Sequence, residues 1–258
     1  PAINRMVHQL EESLGFELFE KIGRRVRLTA PGSEVFEHCK GIFGSVEVLQ
    51  RSLGHISGEC KGPLALAAAE PIASHFLPAL IAALMEEHPA VHPHIFSGPG
   101  SSAVSLIADG SVEFGLFFHL PEVPSTLEVR PFRRVPFRLV VRPDLRRRSD
   151  IISSFIGSRE IDDTTTQRFP TVERIRRDHP EVRIRISSNN LSAHREMVLR
   201  GLGVAILPEF LVLDEIREKR LADVYPKEKF EFNMKLVTRK NAVLSLNART
   251  FLALAEVL

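Results

Sequence analysis

Val35, Cys39, Ile42, Val46, Leu49, Leu53 and Ile56 recur at steps of 4, 3, 4, 3, 4 and 3 residues. An α-helix turns every ~3.6 residues, so this spacing gathers all seven side chains into one narrow stripe. Such a stripe is the seam that two helices share when they wind around each other. A helix over 30–57 is therefore expected to pair with a second copy, with Val35, Cys39, Ile42, Val46, Leu49 and Leu53 in the seam. Its length is about 40 Å. The alternative is a helix laid on the core of its own domain. Gly41 and Gly44 each cost about 1 kcal/mol relative to alanine. Gly41 adjoins the seam residue Ile42, where a close helix approach offsets part of that cost.

Gly58, Gly62 and Pro63 end the rod in a hinge over 58–63. Beyond it, short apolar runs alternate with longer amphipathic ones. The pattern predicts strands at 64–69, 91–97, 112–118, 129–135, 137–142, 151–156, 182–187, 204–207 and 232–237. Helices are expected at 74–87, 101–109, 165–178, 190–200, 208–219 and 246–258. This is an α/β arrangement of open, mostly parallel sheets. Its roughly 195 residues suit two lobes better than one. The expected division is lobe one at 64–138 and 238–258, and lobe two at 139–237.

Composition narrows the class. Lys and Arg number 34 against 32 Asp and Glu, and 44% of the 258 residues are hydrophobic, which excludes disorder and fibrous repeats. Cys39 and Cys60 match no metal or redox spacing, pointing to a reducing compartment. No apolar run approaches the ~18 residues that span a bilayer. Nucleophile-elbow, phosphate-loop and zinc-protease motifs are all missing, so no enzyme and no cofactor is expected. Gly201-Leu202-Gly203 precedes a strand and reads as a tight helix-to-strand turn. His88, His92 and His94 sit among prolines without a further ligand at metal spacing, and no metal is expected.

The first 29 residues carry most of the functional signal. Ile3, Met6, Val7 and Leu10 give a short amphipathic helix that Gly15 ends. Lys21, Arg24, Arg25 and Arg27 then fall on a glycine-bearing hairpin. Guanidinium groups on a protruding turn suit phosphate or minor-groove contact. Arg133, Arg134, Arg138, Arg142 and Arg146–Arg148 form a second basic cluster, read as solvated surface with some subunit contacts.

Pro1-Ala2-Ile3-Asn4-Arg5, Leu10-Glu11-Glu12-Ser13-Leu14-Gly15-Phe16-Glu17-Leu18-Phe19, Val26-Arg27-Leu28-Thr29 and Pro31-Gly32, in this order and spacing, resemble LysR-type transcriptional regulators. A weaker resemblance continues through Leu77-Pro78, Gly110-x-x-Glu113, Val198-x-x-Gly201-Leu202-Gly203-Val204 and Leu207-Pro208. It implies that residues 1–29 are the second half of a winged helix-turn-helix, with some 30 family residues missing in front. Its uncovered Ile3, Val7 and Leu10 would forfeit about 1.5–3 kcal/mol each. The 258 residues as given are thus expected to bind DNA poorly. The partners implied are double-stranded DNA, a small-molecule effector, and further copies in a homodimer or homotetramer, in the cytoplasm and with no membrane.

The resemblance also implies site residues. Asn4, Arg5, His8 and Gln9 would face the major groove, and Arg24, Arg25 and Arg27 would form the wing. The two lobes would share the periplasmic-binding-protein fold, with the effector in the cleft between them. Ala69, Glu70, Ser101, Ser102, Ser188, Asn189, Asn190 and Ile206 fall at the matching strand ends and helix starts. Ala69 stands where the family often has a hydroxyl, and Glu70 after it adds a negative charge, which together argue against a simple carboxylate effector. The rivals are a solute-binding or transferase-type protein on the same fold, and a shortened regulator that titrates full-length partners.

Overall fold

The computed structural model describes residues 2–23, 25–36, 38–39, 42, 58–120, 122–147, 151–157, 177, 179–180, 183–228 and 230–257. The head opens with α1 (Ala2–Leu14). Gly15 ends it at a φ of +81°, a region that glycine enters without a Cβ clash. Strands β1 (Phe19–Ile22) and β2 (Arg25–Leu28) pair antiparallel, Phe19 opposite Leu28 and Ile22 opposite Arg25. The Glu11 carboxylate ties α1 to this hairpin, accepting from the Leu18 N–H at 2.7 Å and the Phe19 N–H at 3.3 Å. Helix resumes at 30–36. Val46, Leu49 and Leu53 lie outside the described residues, as does most of the expected helix at 165–178.

The α/β part contains β3 (Gly62–Ala68), α2 (Leu77–Glu87), β4 (Val91–Ser97), α3 (Gly100–Ala108), β5 (Phe114–Phe117) and β6 (Leu127–Val141). There follow β7 (Phe155–Gly157), β8 (Ile184–Ser187), α4 (Leu191–Leu199), β9 (Ala205–Pro208), α5 (Glu209–Arg217), β10 (Ala222–Asp223), β11 (Phe230–Arg239) and α6 (Leu246–Val257). A seven-stranded sheet runs β10-β6-β11-β5-β3-β4, with β9 also on β6. β3 pairs parallel with β4 and β5, and β7 pairs parallel with β8. β11 is antiparallel to β5 and β6, and β6 is antiparallel to β9 and β10. The large sheet is therefore mixed rather than mostly parallel, because β6 and β11 run back against their neighbours.

Two expected strands, 129–135 and 137–142, are one continuous β6. Pro136 lies between the two expected strands, yet the chain stays extended through it, and among the described residues the first half of β6 has only β11 beside it. An edge tolerates residues that lack an N–H. The expected strand at 151–156 is a short 3₁₀ turn, Ile151–Ser153, followed by β7.

Burial follows the strand period. On β3, Leu64, Leu66 and Ala68 enter one core with Leu80, Leu84, Phe114 and Phe251. Ala65 and Ala67 enter another with Ile107, Phe117 and Val237. Both faces are covered, so this strand reads as an unbroken apolar run. A third core joins Val140, Ile156, Val198, Leu207 and Val212.

Candidate functional site

Asn4, Arg5, His8 and Gln9 are exposed on α1, and the His8 Nδ1 lies 3.2 Å from the Glu11 carboxylate. Ile3 and Met6 on the same helix are also open, at 75% and 70% of their full exposure. Arg27 is exposed on β2, Arg25 belongs to the same strand, and Arg24 lies outside the described residues. Gly23 makes the hairpin turn at a φ of +65°. Behind the hairpin, the Thr29 hydroxyl donates to the Glu17 carbonyl at 2.8 Å and accepts from the Gly32 N–H at 2.9 Å. Of the seam candidates, Val35 and Cys39 are half-buried and Ile42 is exposed.

The first of the residues expected at the effector cleft follow the end of β3. The Ala69 N–H donates to the Leu116 carbonyl at 3.0 Å, which directs the chain into a single π-helical turn, Ile72–Phe76, before α2. Glu70 precedes this turn. Its Oε1 accepts from the Ser192 hydroxyl on α4 at 2.7 Å and from the Ser74 hydroxyl at 3.4 Å. His75 Nε2 lies 3.4 Å from the same Ser192 hydroxyl. Burial pushes the His75 imidazole below its ordinary range; the Arg195 charge adds to this, and Glu70 opposes it. The imidazole thus favours its neutral form near neutral pH.

An aromatic contact follows from the last residue of the same turn. The Phe76 and Phe210 ring centroids are 5.7 Å apart, and Phe210 stacks on Phe118 at 6.4 Å. The Arg133 guanidinium stands 5.5 Å from the Phe76 ring centre. Two buried polar atoms in this region have no hydrogen-bond partner among the described residues, Oε2 of Glu70 and Nε of Arg195. The remaining Arg195 nitrogens pair with Glu196 at 2.8 Å and with Glu215.

The other expected cleft residues have separate placements. Asn190 caps α4, its Oδ1 accepting from the Ala193 N–H at 2.8 Å, and the Ser188 hydroxyl accepts from the Asn190 N–H at 3.1 Å. Asn190 therefore does the capping work that its residue type favours, and Ser188 closes the turn that leads into it. Ser101, Ser102 and Asn189 are exposed, and Ile206 is buried in the core on β9. The contacts of Ser192 with Glu70 and His75 were not legible in the sequence. No short-range pattern relates Ser192 to Glu70, which is 122 residues away.

Among the described residues no group of three His, Cys, Asp or Glu is placed to hold a metal, and no helix is long and apolar enough to cross a membrane.

The chain matches known proteins along most of its length. Residues 57–257 match the family profile described as LysR substrate binding domain. Residues 1–33 match that of the bacterial regulatory helix-turn-helix protein, lysR family. Over 144 residues it is 29% identical to the RuBisCO operon transcriptional regulator of Allochromatium vinosum, covering 56% of this chain and 47% of that protein. It thus spans about half the length of that relative. The transcriptional activator CmpR of Synechocystis is 26% identical over 98% of this chain and 84% of its own length. Among solved structures, CrgA of Neisseria meningitidis aligns over 98% of this chain and 87% of its own, with a TM-score of 0.57 and 20% identity. CbnR aligns over 99% and 90%, at a TM-score of 0.57 and 18% identity, and these two likenesses speak for the fold. With matching profiles over both the head and the α/β part, the chain belongs to the LysR family of bacterial transcriptional regulators.

Proposed function

We propose that this protein is a DNA-binding transcriptional regulator of the bacterial cytoplasm whose action depends on a small molecule held between its two lobes. The observation that carries this reading is the exposed polar row Asn4, Arg5, His8 and Gln9 on α1, set beside a basic hairpin. A helix of this kind enters the major groove, where Asn pairs with adenine and Arg with guanine edges. Arg25 and Arg27, with Arg24, supply charge to the phosphates on the flank. The relatives' printed names are those of regulators rather than enzymes, in keeping with this reading.

The seam residues Val35, Cys39, Ile42, Val46, Leu49 and Leu53 support assembly with a second copy, as a dimer or a tetramer. A ligand that binds one arrangement of the lobes more tightly than the other would shift the assembly, and with it the spacing of the DNA-reading helices.

A shift assay on promoter DNA with the intact protein tests the reading. Asn4→Ala should relax sequence preference, and Arg27→Ala should weaken binding to all sequences and flatten its salt dependence. Equal loss of preference in both variants would overturn the assignment of α1 as the base reader.

A further inference from the structure

The two carboxylate oxygens of Glu11 have different partners. Oε1 accepts from the Leu18 N–H at 2.7 Å and the Phe19 N–H at 3.3 Å, which ties α1 to the start of the hairpin. Oε2 lies 3.2 Å from Nδ1 of His8, one helical turn back on α1. The His8 side chain is 79% exposed and that of Glu11 only 11%, so an outward imidazole stands beside a carboxylate held at its base. His8 shares a face of α1 with Asn4, one turn earlier again. A carboxylate this close to one ring nitrogen favours the proton there, and in the neutral ring the other nitrogen then carries the lone pair.

Resting on the DNA-binding reading above, we infer that Glu11 is a positioning residue for base recognition, holding His8 with its proton on Nδ1 and with Nε2 offered to the major groove as an acceptor. The bases that match such an acceptor carry an exocyclic amino group, adenine at N6 and cytosine at N4. Guanine, through N7 and O6, and thymine, through O4, would set a second acceptor against it. The negative charge of Glu11 is itself met by the two hairpin N–H groups, which lessens its repulsion of nearby phosphates. Because one carboxylate serves both contacts, the seat of the hairpin on α1 and the hydrogen-bonding sense of His8 depend on the same side chain.

Shift assays with the intact protein at about pH 8, on promoter sites varied one base pair at a time, test the assignment. At one position the wild-type protein should prefer adenine or cytosine on the contacted strand over guanine or thymine by about threefold to tenfold. His8→Ala should lose that preference and keep those set by Asn4 and Arg5. In Glu11→Gln the amide oxygen still accepts from Leu18 and Phe19, while its NH2 faces Nδ1 as a donor. The ring proton then moves to Nε2, and the preference at that position should reverse toward guanine or thymine. A hairpin tie alone would instead weaken binding to every sequence alike. Nitrogen-15 histidine spectra of the free protein, with the His8 signal identified by its loss in His8→Ala, should place the proton on Nδ1 in the wild type and on Nε2 in Glu11→Gln. A wild-type proton on Nε2, or a Glu11→Gln protein whose preference is unchanged or whose binding falls uniformly, would overturn the inference. Preferences that persist at the positions set by Asn4 and Arg5 keep such a failure distinct from a failure of the regulator reading.

Discussion

The Glu113 carboxylate accepts two hydrogen bonds from one residue, Ser245, through the backbone N–H at 2.8 Å and the hydroxyl at 2.9 Å. Both residues are buried. The Ser245 hydroxyl in turn accepts from the Ala248 N–H at 3.1 Å, so one carboxylate anchors the start of α6 from 132 residues away. Charge-assisted bonds of this kind exceed neutral ones, and their loss strands buried donors. Glu113→Ala should lower the unfolding free energy by about 2–3 kcal/mol in urea titrations. A loss below about 0.5 kcal/mol would show that the anchor is dispensable.

Gly201 and Gly203 separate by cause. Gly201 adopts a φ of +75°, and a Cβ there would meet only the movable Arg142 guanidinium. At Gly203 a Cβ would stand 2.0 Å from the Ser154 carbonyl oxygen, which is backbone and also accepts the Val204 N–H at 3.1 Å. Gly201→Ala should cost about 1–2 kcal/mol from the left-handed backbone. Gly203→Ala should cost more, because β7 and β9 must separate to admit the methyl group. Thermal melts of the two variants check the order.

His194 sets a pH dependence. It is buried on α4, with Nε2 2.8 Å from the Ser188 carbonyl. Burial pushes its pKa below the ordinary 6.5, and the bond to Ser188 opposes this only in part. The unfolded chain therefore binds a proton at pH values where the folded chain does not. The stability tied to His194 is complete above 6.5 and is lost as the pH falls from there toward the folded value. Unfolding free energies measured between about pH 8 and pH 5 should decline by at most about 1.4 kcal/mol per unit from this group. His194→Gln, which keeps a donor for Ser188, should flatten the decline; an unchanged slope would exclude His194 as its source.

Local chemistry was largely readable from the residues. α1 with Gly15, the hairpin with Gly23 and the Gly201 turn all depend on neighbours within a few positions, so period and glycine placement sufficed. Where two distant segments meet, the sequence was silent. The continuity of β6 across Pro136 depends on which sheet edge is free, and the pairing of Glu70 with Ser192 depends on how the lobes approach. The π-helical turn at Ile72–Phe76 also has no period of its own; its five residues place Glu70 and His75 beside α4. Asn190 stands at an expected helix start and caps α4, while Ser188 accepts from the Asn190 N–H in the turn before it.

The central claim, that α1 reads DNA as part of a paired regulator, is tested most directly by footprinting the intact protein on its promoter. The account predicts two protected half-sites about one helical turn, or a multiple of it, apart, with both lost together in Arg5→Ala. Protection of a single site, or a footprint unaltered by Arg5→Ala, would contradict it.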